Sequence, residues 1–152
     1  MASPALRYGR WSHTGNVYAL TTVTHARRPW FIDKANVELL IEALRTVERT
    51  GRTFSLGWVI MPDHLHWLME LRTGTLAGRM QILKSRSGRS IATRVDANVP
   101  IWQPGYYDHA LRSDECLHTQ ARYIAANPVR AGLATRIAVS YTHLTLPTIL
   151  LV

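Results

Sequence analysis

The chain of 152 residues is long enough for one domain with a hydrophobic core, and its 47% hydrophobic and 18% charged content is ordinary for a soluble globular protein. Its 18 Lys and Arg residues outnumber 10 Asp and Glu residues, which gives a net charge of +8, and 16 of the 18 are Arg. This excess of positive charge favours an acidic polymer, most simply nucleic acid, as the partner. The alternative is a generic basic protein whose charge only keeps it soluble.

Cysteine count and hydropathy exclude other classes of protein. The single cysteine, Cys116, excludes an intrachain disulfide framework and suits a reducing compartment. No apolar stretch approaches the roughly 20 residues that span a bilayer, and residues 1–15 lack the apolar centre of a secretory signal. We therefore expect a soluble cytoplasmic protein with no membrane partner, associated with the nucleoid if its partner is DNA.

The first half of the chain predicts a strand, a helix and a β-hairpin. Residues 17–24 are rich in β-branched and aromatic types, which is typical of a strand. Apolar residues at helical spacing predict an amphipathic helix over 34–50, with Asp33 as its N-cap residue. Residues 53–61 and 64–71 predict two strands joined by a tight turn.

The second half predicts a helix, a strand and a last helix. The helix covers residues 75–94, and the strand covers 101–111 with a bend at Pro104-Gly105. The last helix is expected to run from Ser113, as N-cap residue, to about residue 126. The order β-α-β-β-α-β-α predicts an α+β fold in which helices pack on an antiparallel sheet of ferredoxin-like or RRM-like character.

From Arg72 to Arg94, a stretch that covers the second predicted helix, the chain carries six basic residues and no acidic ones. An unbalanced run of one sign is costly unless a polyanion neutralises it, so contact with phosphate is favoured over a merely solvated face. The candidates for contact with a nucleic-acid backbone are Arg72, Arg79, Lys84, Arg86, Arg89 and Arg94.

A pair of histidines in the third predicted strand is the most specific chemical pattern. Side chains alternate across a strand, so His64 and His66 project from one face, about 7 Å apart along the strand, while Leu65 and Trp67 point to the core. Two such imidazoles can converge on one metal ion. The pair alone is a weak signal, because histidines in proteins serve many other purposes.

The last predicted helix carries a tyrosine that could face a site on the sheet. Tyr123 and Asn127 lie one turn apart with Gln120, an accessory candidate, on the same side, and this stripe borders the apolar stripe of the helix. An isolated tyrosine in such a place is more often an amphipathic residue at the edge of the core. Because a residue before proline is pushed out of helical geometry, Asn127 is expected to end the helix before Pro128.

Strand histidines beside a helix tyrosine suggest a reaction at phosphorus. A metal on a phosphodiester oxygen polarises phosphorus, and a tyrosine phenolate can then attack it. The products would be a covalent phosphotyrosine and a free 3′-hydroxyl, with the phosphodiester bond energy conserved for rejoining.

Three runs of sequence resemble those of a known family: MPDHLHWLMEL, IWQPGYYDHALR and ARYIAANPVRAGLA. In order and spacing they are similar to motifs of the REP-associated tyrosine transposases. These are relatives of the single-tyrosine insertion-sequence transposases in the HUH nuclease superfamily. The similarity extends over about residues 18–134.

The resemblance implies the HUH endonuclease fold and a role for each site residue. His64 and His66 would be the metal-ligand pair, Tyr123 the nucleophile and Asn127 the third protein ligand. The metal would be Mg²⁺ or Mn²⁺, although two imidazoles by themselves favour Mn²⁺ or Zn²⁺. The implied substrate is single-stranded DNA beside an imperfect hairpin, as in repetitive extragenic palindromes, cleaved to leave a 5′-phosphotyrosine. Relatives include monomers and homodimers, so both states stay open here.

The carboxyl end departs from the family pattern. We expect one domain over residues 1–138, followed by an atypical tail over 139–152 that contains no Asp, Glu, Lys or Arg. A foreign or mis-assembled end and a hydrophobic C-terminal strand explain this tail equally well.

Two other functions are compatible with the same residues. A non-catalytic nucleic-acid-binding module would stack bases on aromatic side chains such as Trp102, Tyr106 and Tyr107. A metal hydrolase would instead use Asp63 or Glu70 together with the two histidines.

Overall fold

The computed structural model describes residues 13–112, 114–130 and 142–144, and for residues 114–116, 127–130 and 142–144 it describes the backbone only. In this part of the chain the regular elements are, in order, β1 (Val17–Val23), α1 (Lys34–Arg49), β2 (Thr53–Met61), β3 (His64–Leu71), α2 (Leu76–Val95), β4 (Tyr107–Leu111), α3 (Asp114–Arg130) and β5 (Thr142–Leu144). Two short 3₁₀ turns lie in the connection between β1 and α1.

The strands form one antiparallel sheet in the order β4-β1-β3-β2-β5. Strands β2 and β3 are the predicted hairpin with the predicted bounds, joined by the two residues Pro62 and Asp63. The predicted α+β fold, an antiparallel sheet with helices packed on it, is confirmed.

The two faces of the sheet pack against different helices because side chains alternate along each strand. One face of β3 joins α1 and α2 in the main core; its residues are Leu65, Trp67, Met69 and Leu71. On the opposite face Leu68 packs with Val59 and Met61 of β2 against Ala121 and Ile124 of α3. His64 and His66 alternate with the core residues of β3, so they lie on the face that α3 partly covers.

Helix α3 corrects one expectation. The sequence predicts that the helix ends before Pro128, but the helix continues to Arg130. Proline removes one helical hydrogen bond, yet its fixed φ angle is itself helical, and the bias on the preceding residue is a preference that packing can override. Here the burial of Ala121, Ile124 and Ala125 holds the helix on the sheet. The predicted N-cap residue, Ser113, lies outside the described residues.

Strand β4 is shorter than predicted. Regular pairing with β1 covers only Tyr107–Leu111, whereas Trp102 makes one isolated bridge to Thr24. Pro104 lacks a backbone N–H, and Gly105 has a φ of 81°, so the chain cannot keep an extended ladder between these points. The Nζ atom of Lys84 donates to the carbonyl oxygens of Gln103 and Gly105, each at 2.7 Å, and so fixes this bend.

Three residues of the predicted apolar tail form β5, which pairs with β2. This pairing is compatible with the expected hydrophobic C-terminal strand. Whether the tail is native or foreign stays a prediction. The rest of the tail lies outside the described residues. None of the helices in the described ranges is both long enough and apolar enough to cross a membrane.

The predicted N-cap of α1 is confirmed, and it leads to a test of stability. The Asp33 carboxylate accepts from the N–H of Ala35 at 3.0 Å and from Arg94 at 2.9 Å, and these contacts, in that order, hold the pKa of Asp33 below its usual 3.8. We expect Asp33→Ala to lower the Tm at pH 7.

The pH dependence of this loss has a definite sign. A depressed pKa stabilises the fold fully above the unfolded-state pKa, and the stabilisation is lost as the pH falls through the folded-state value. The Tm difference should therefore shrink below about pH 4. Glu38→Ala, which removes an exposed ion pair of the same helix, is the matched control and should change Tm little. Equal Tm values for Asp33→Ala and wild type at pH 7 would contradict the prediction.

Candidate functional site

The histidine pair stands at the start of β3, where the hairpin turn is fastened to the connection that follows β1. The Asp63 carbonyl oxygen accepts from the N–H of Thr24 at 2.9 Å and from its hydroxyl at 3.1 Å. The Pro62 carbonyl oxygen accepts from the N–H of Phe31 at 3.0 Å. Contacts with this connection thus hold both residues of the hairpin turn in place.

The two imidazoles converge through one nitrogen each. The Nε2 atoms of His64 and His66 are 3.2 Å apart, and the ring centroids lie 4.7 Å apart with the planes nearly perpendicular. Each Nδ1 has a partner of its own. His64 Nδ1 lies 2.7 Å from an Asp63 carboxylate oxygen, and His66 Nδ1 lies 3.0 Å from the Thr21 hydroxyl oxygen. Both rings are therefore held from behind, and their Nε2 atoms lie within hydrogen-bond distance of each other.

Asp63 determines how His64 uses its nitrogens. Partial burial alone raises the pKa of the Asp63 carboxyl, but hydrogen bonding and positive charge from His64 and then Arg27 outweigh it and hold the pKa below 3.8. An ionised carboxylate only accepts, so His64 Nδ1 donates to it, and in neutral His64 the lone pair is then on Nε2. Arg27 reaches the second carboxylate oxygen at 3.3 Å. A carboxylate behind a histidine in this way is a frequent arrangement at metal sites.

Thr21 performs the corresponding task for His66. The two residues are register partners in the β1–β3 ladder, so their side chains lie side by side on the same face. A hydroxyl can donate or accept, and the contact is therefore compatible with either tautomer of His66. Neither Thr21 nor Arg27 was among the residues predicted from the sequence, because only strand pairing and loop packing bring them to the histidines.

Helix α3 brings Tyr123 to the same face of the sheet. Its buried residues, Ala121 and Ile124, contact Val59 and Met61, which are the register partners of His66 and His64 in β2. Tyr123 lies between these buried positions in sequence and is 55% exposed. Gln120 is half-buried one turn before it. The predicted stripe thus borders the packed face of the helix, while the side chain of Asn127 lies outside the described residues.

The predicted basic run lies on the other face of the sheet, because α2 packs in the main core. Three of its members have contacts within the fold: Arg72 with Glu70, Lys84 with the bend before β4, and Arg94 with Asp33. Arg79 is only 7% exposed, and its Nε has no hydrogen-bond partner among the described residues. Arg86 and Arg89 are exposed. Contact of these six residues with DNA stays a prediction.

Neither carboxylate that the alternative hydrolase would use, Asp63 or Glu70, is placed to act as a general base on a water molecule. Asp63 is engaged behind His64. Glu70 accepts from Arg72 and lies four residues from His66, about 13 Å along the strand. Among the described residues no group of three or more His, Cys, Asp and Glu side chains could hold a metal ion. A metal at the histidine pair therefore needs further donors of another kind, such as an amide or a phosphate oxygen.

Comparison with known proteins identifies the family. Residues 12–127 match the family model described as transposase, IS200 like, and the chain belongs to this family. It is also similar to the REP-associated tyrosine transposase of Escherichia coli strain K12, with 25% identity over 134 residues that cover 86% of this chain and 77% of that protein. The family resemblance predicted from the sequence is confirmed.

Solved structures agree on the fold. One match is a REP-associated tyrosine transposase bound to a REP hairpin, with a TM-score of 0.73 and 24% identity over 87% of this chain and 78% of that chain. Another is a proposed transposase from Deinococcus radiodurans R1, with a TM-score of 0.55 and 18% identity over 88% of this chain and 98% of that chain.

Proposed function

We propose that this protein is a metal-dependent endonuclease and strand transferase acting on single-stranded DNA beside a hairpin or palindromic repeat. In this proposal Tyr123 becomes joined to a 5′-phosphate. Membership in a transposase family and a structural relative that binds a REP hairpin support the DNA substrate. The net charge of +8 is the balance expected of a protein that binds a polyanion.

One observation carries the proposal: the two Nε2 atoms lie 3.2 Å apart while both Nδ1 atoms are held from behind. Two nitrogens that bind adjacent positions of one ion at about 2.1 Å are themselves about 3.0–3.4 Å apart. The separation of the two Nε2 atoms therefore matches that of two ligands on one divalent cation.

The family resemblance, and not the donor set alone, favours Mg²⁺ or Mn²⁺ as the ion. His64 and His66 would hold the ion together with the amide oxygen of Asn127, and a phosphodiester oxygen would complete the set. Two imidazoles match Mn²⁺ better than Mg²⁺. When bound, the ion would polarise phosphorus and offset the charge that develops on the phosphate oxygens.

The chain itself supplies the nucleophile and its position. The phenolic oxygen of Tyr123 attacks phosphorus, its proton passes to solvent, and an oxygen–phosphorus bond forms as the bond to the 3′-oxygen breaks. The released strand ends in a 3′-hydroxyl, which takes up a proton. Attack by a 3′-hydroxyl on the phosphotyrosine reverses these bond changes, so joining needs no nucleotide cofactor. The packing of α3 on β2 and β3 supports this assignment, because it brings the helix that carries Tyr123 to the face of the sheet that carries the histidines.

The experiment is a search for a covalent complex. A hairpin oligonucleotide with single-stranded flanks carries different fluorophores at its 5′ and 3′ ends and is incubated with protein and Mn²⁺ or Mg²⁺. We expect an SDS-resistant complex that retains only the 3′-end label, release of a fragment with a free 3′-hydroxyl, and loss of both products in EDTA.

The other functions predict different products. A binding module shifts the oligonucleotide in native gels with or without EDTA and never cleaves it. A hydrolase releases both labelled fragments free of protein. Either result would overturn the proposal. Formation of the covalent complex with both Mn²⁺ and Mg²⁺ would support it as well as formation with only one of them.

A further inference from the structure

We propose that Tyr107 stacks on a base of the single-stranded DNA that leads to the histidine pair and so positions the scissile phosphate. This inference rests on the proposed function. It adds a contact on a different strand of the sheet, one that acts through an aromatic ring and not through a hydroxyl.

The position of Tyr107 follows from strand register. Tyr107 of β4 is paired with Thr21 of β1, and Thr21 is paired with His66 of β3. Paired residues share a face, so the three side chains form a row across neighbouring strands, and Thr21 itself contacts the His66 ring. Two strand spacings separate Tyr107 from His66, or about 10 Å. That is about three stacked nucleotides of one strand.

The surroundings of Tyr107 differ sharply from those of its neighbour in sequence. Tyr106 is 6% exposed and belongs to the main core, whereas Tyr107 is 38% exposed on the opposite face. The cluster beneath α3 is built on β2 and β3, and the residue of β4 that packs against it is Leu111, at the far end of the strand from Tyr107; among the described residues Tyr107 is not a member of this cluster. A large aromatic ring left open on a sheet beside a proposed DNA site is the usual platform for an unpaired base.

Chemistry around Tyr107 favours a nucleic-acid strand as the occupant. Its neighbours on this face, Ala19, Thr21 and His109, carry no acidic group, and exposed Arg112 follows the strand. His109 is itself an exposed ring one row further from His66. Bases in a duplex are stacked on one another and cannot lie flat on a side chain, so the contact requires a single-stranded flank and not the hairpin stem.

The test measures binding without chemistry. Fluorescence anisotropy in EDTA reports the affinity of the Tyr123→Phe variant for a hairpin with a single-stranded flank and for the same hairpin without it. Adding Tyr107→Ala should weaken binding of the flanked hairpin about fivefold or more and leave the flankless hairpin nearly unaffected. Tyr107→Phe should restore most of the affinity, whereas Tyr107→Leu, which has bulk without a ring, should not.

An abasic scan identifies the base and separates stacking from a structural role. Removing the base that stacks on Tyr107 should weaken binding of the parent protein and abolish the difference between it and the alanine variant. Three results would overturn the inference. The Tyr107→Ala variant could bind as tightly as its parent, it could lose the same affinity for both hairpins, or Tyr107→Leu could restore the affinity. Failure of the proposed function appears separately, as absence of a covalent complex with the wild-type protein.

Discussion

Replacement of Tyr123 by phenylalanine is expected to abolish the covalent protein–DNA complex. The phenolic oxygen is the atom that forms the bond to phosphorus, so its removal should reduce complex formation at least about 1000-fold. The ring is 55% exposed beside a buried helix face, and loss of one oxygen there should leave folding and hairpin affinity nearly unchanged. Denaturing gels with a 3′-labelled oligonucleotide measure the complex, and anisotropy measures the affinity.

A comparison with Tyr107 makes this prediction specific. Tyr107 and Tyr123 are the exposed tyrosines among the described residues, and both lie on the side of the sheet that carries the histidines. The Tyr107→Phe variant keeps the phenol of Tyr123, so the covalent complex should still form, whatever its rate. Persistence of the complex in Tyr123→Phe, or its disappearance only in Tyr107→Phe, would show that the nucleophile is assigned to the wrong residue.

Replacement of His66 by alanine is expected to remove both metal binding and cleavage. Loss of a ring that supplies one of two converging nitrogens leaves His64 as a single imidazole. Removal of an outer partner of a metal ligand lowers metal affinity about 10–100-fold, and loss of the ligand itself should exceed that range. Mn²⁺ binding followed by electron paramagnetic resonance or calorimetry measures the affinity, and the denaturing gel measures cleavage.

The control is His13→Ala, which removes an exposed histidine near the other end of the sheet, where Gly15 pairs with Leu71. This variant should bind Mn²⁺ and form the covalent complex as the wild type does. If His66→Ala still forms a complex that EDTA abolishes, the metal is bound elsewhere.

Local patterns predicted most of the elements. The bounds of β2 and β3 and the N-cap of α1 follow from alternation, turn residues and a single capping aspartate, all of which act within a few residues. The errors occur where tertiary contacts outweigh local preference. Burial of one side of α3 carries the helix past Pro128, and Lys84, on another helix, fixes the bend that shortens β4.

The basic run illustrates a limit of charge patterns. The unbalanced run of Arg and Lys favours contact with phosphate, yet several of these side chains have contacts within the fold, and α2 lies on the opposite face from the histidines. Charge along a sequence cannot tell whether a guanidinium faces solvent, an aspartate or the core. That distinction depends on which helix face is buried.

For the candidate site, the sequence by itself determined that His64 and His66 share a face, because alternation along a strand is a property of the backbone. It also determined the family, through three motifs in order. Only the tertiary structure decided that the two Nε2 atoms converge at 3.2 Å, since Thr21 and Asp63 orient the rings from another strand and from the hairpin turn. Only strand order could place Tyr107 in the same row, because pairing between distant segments is set by the packing of the whole sheet.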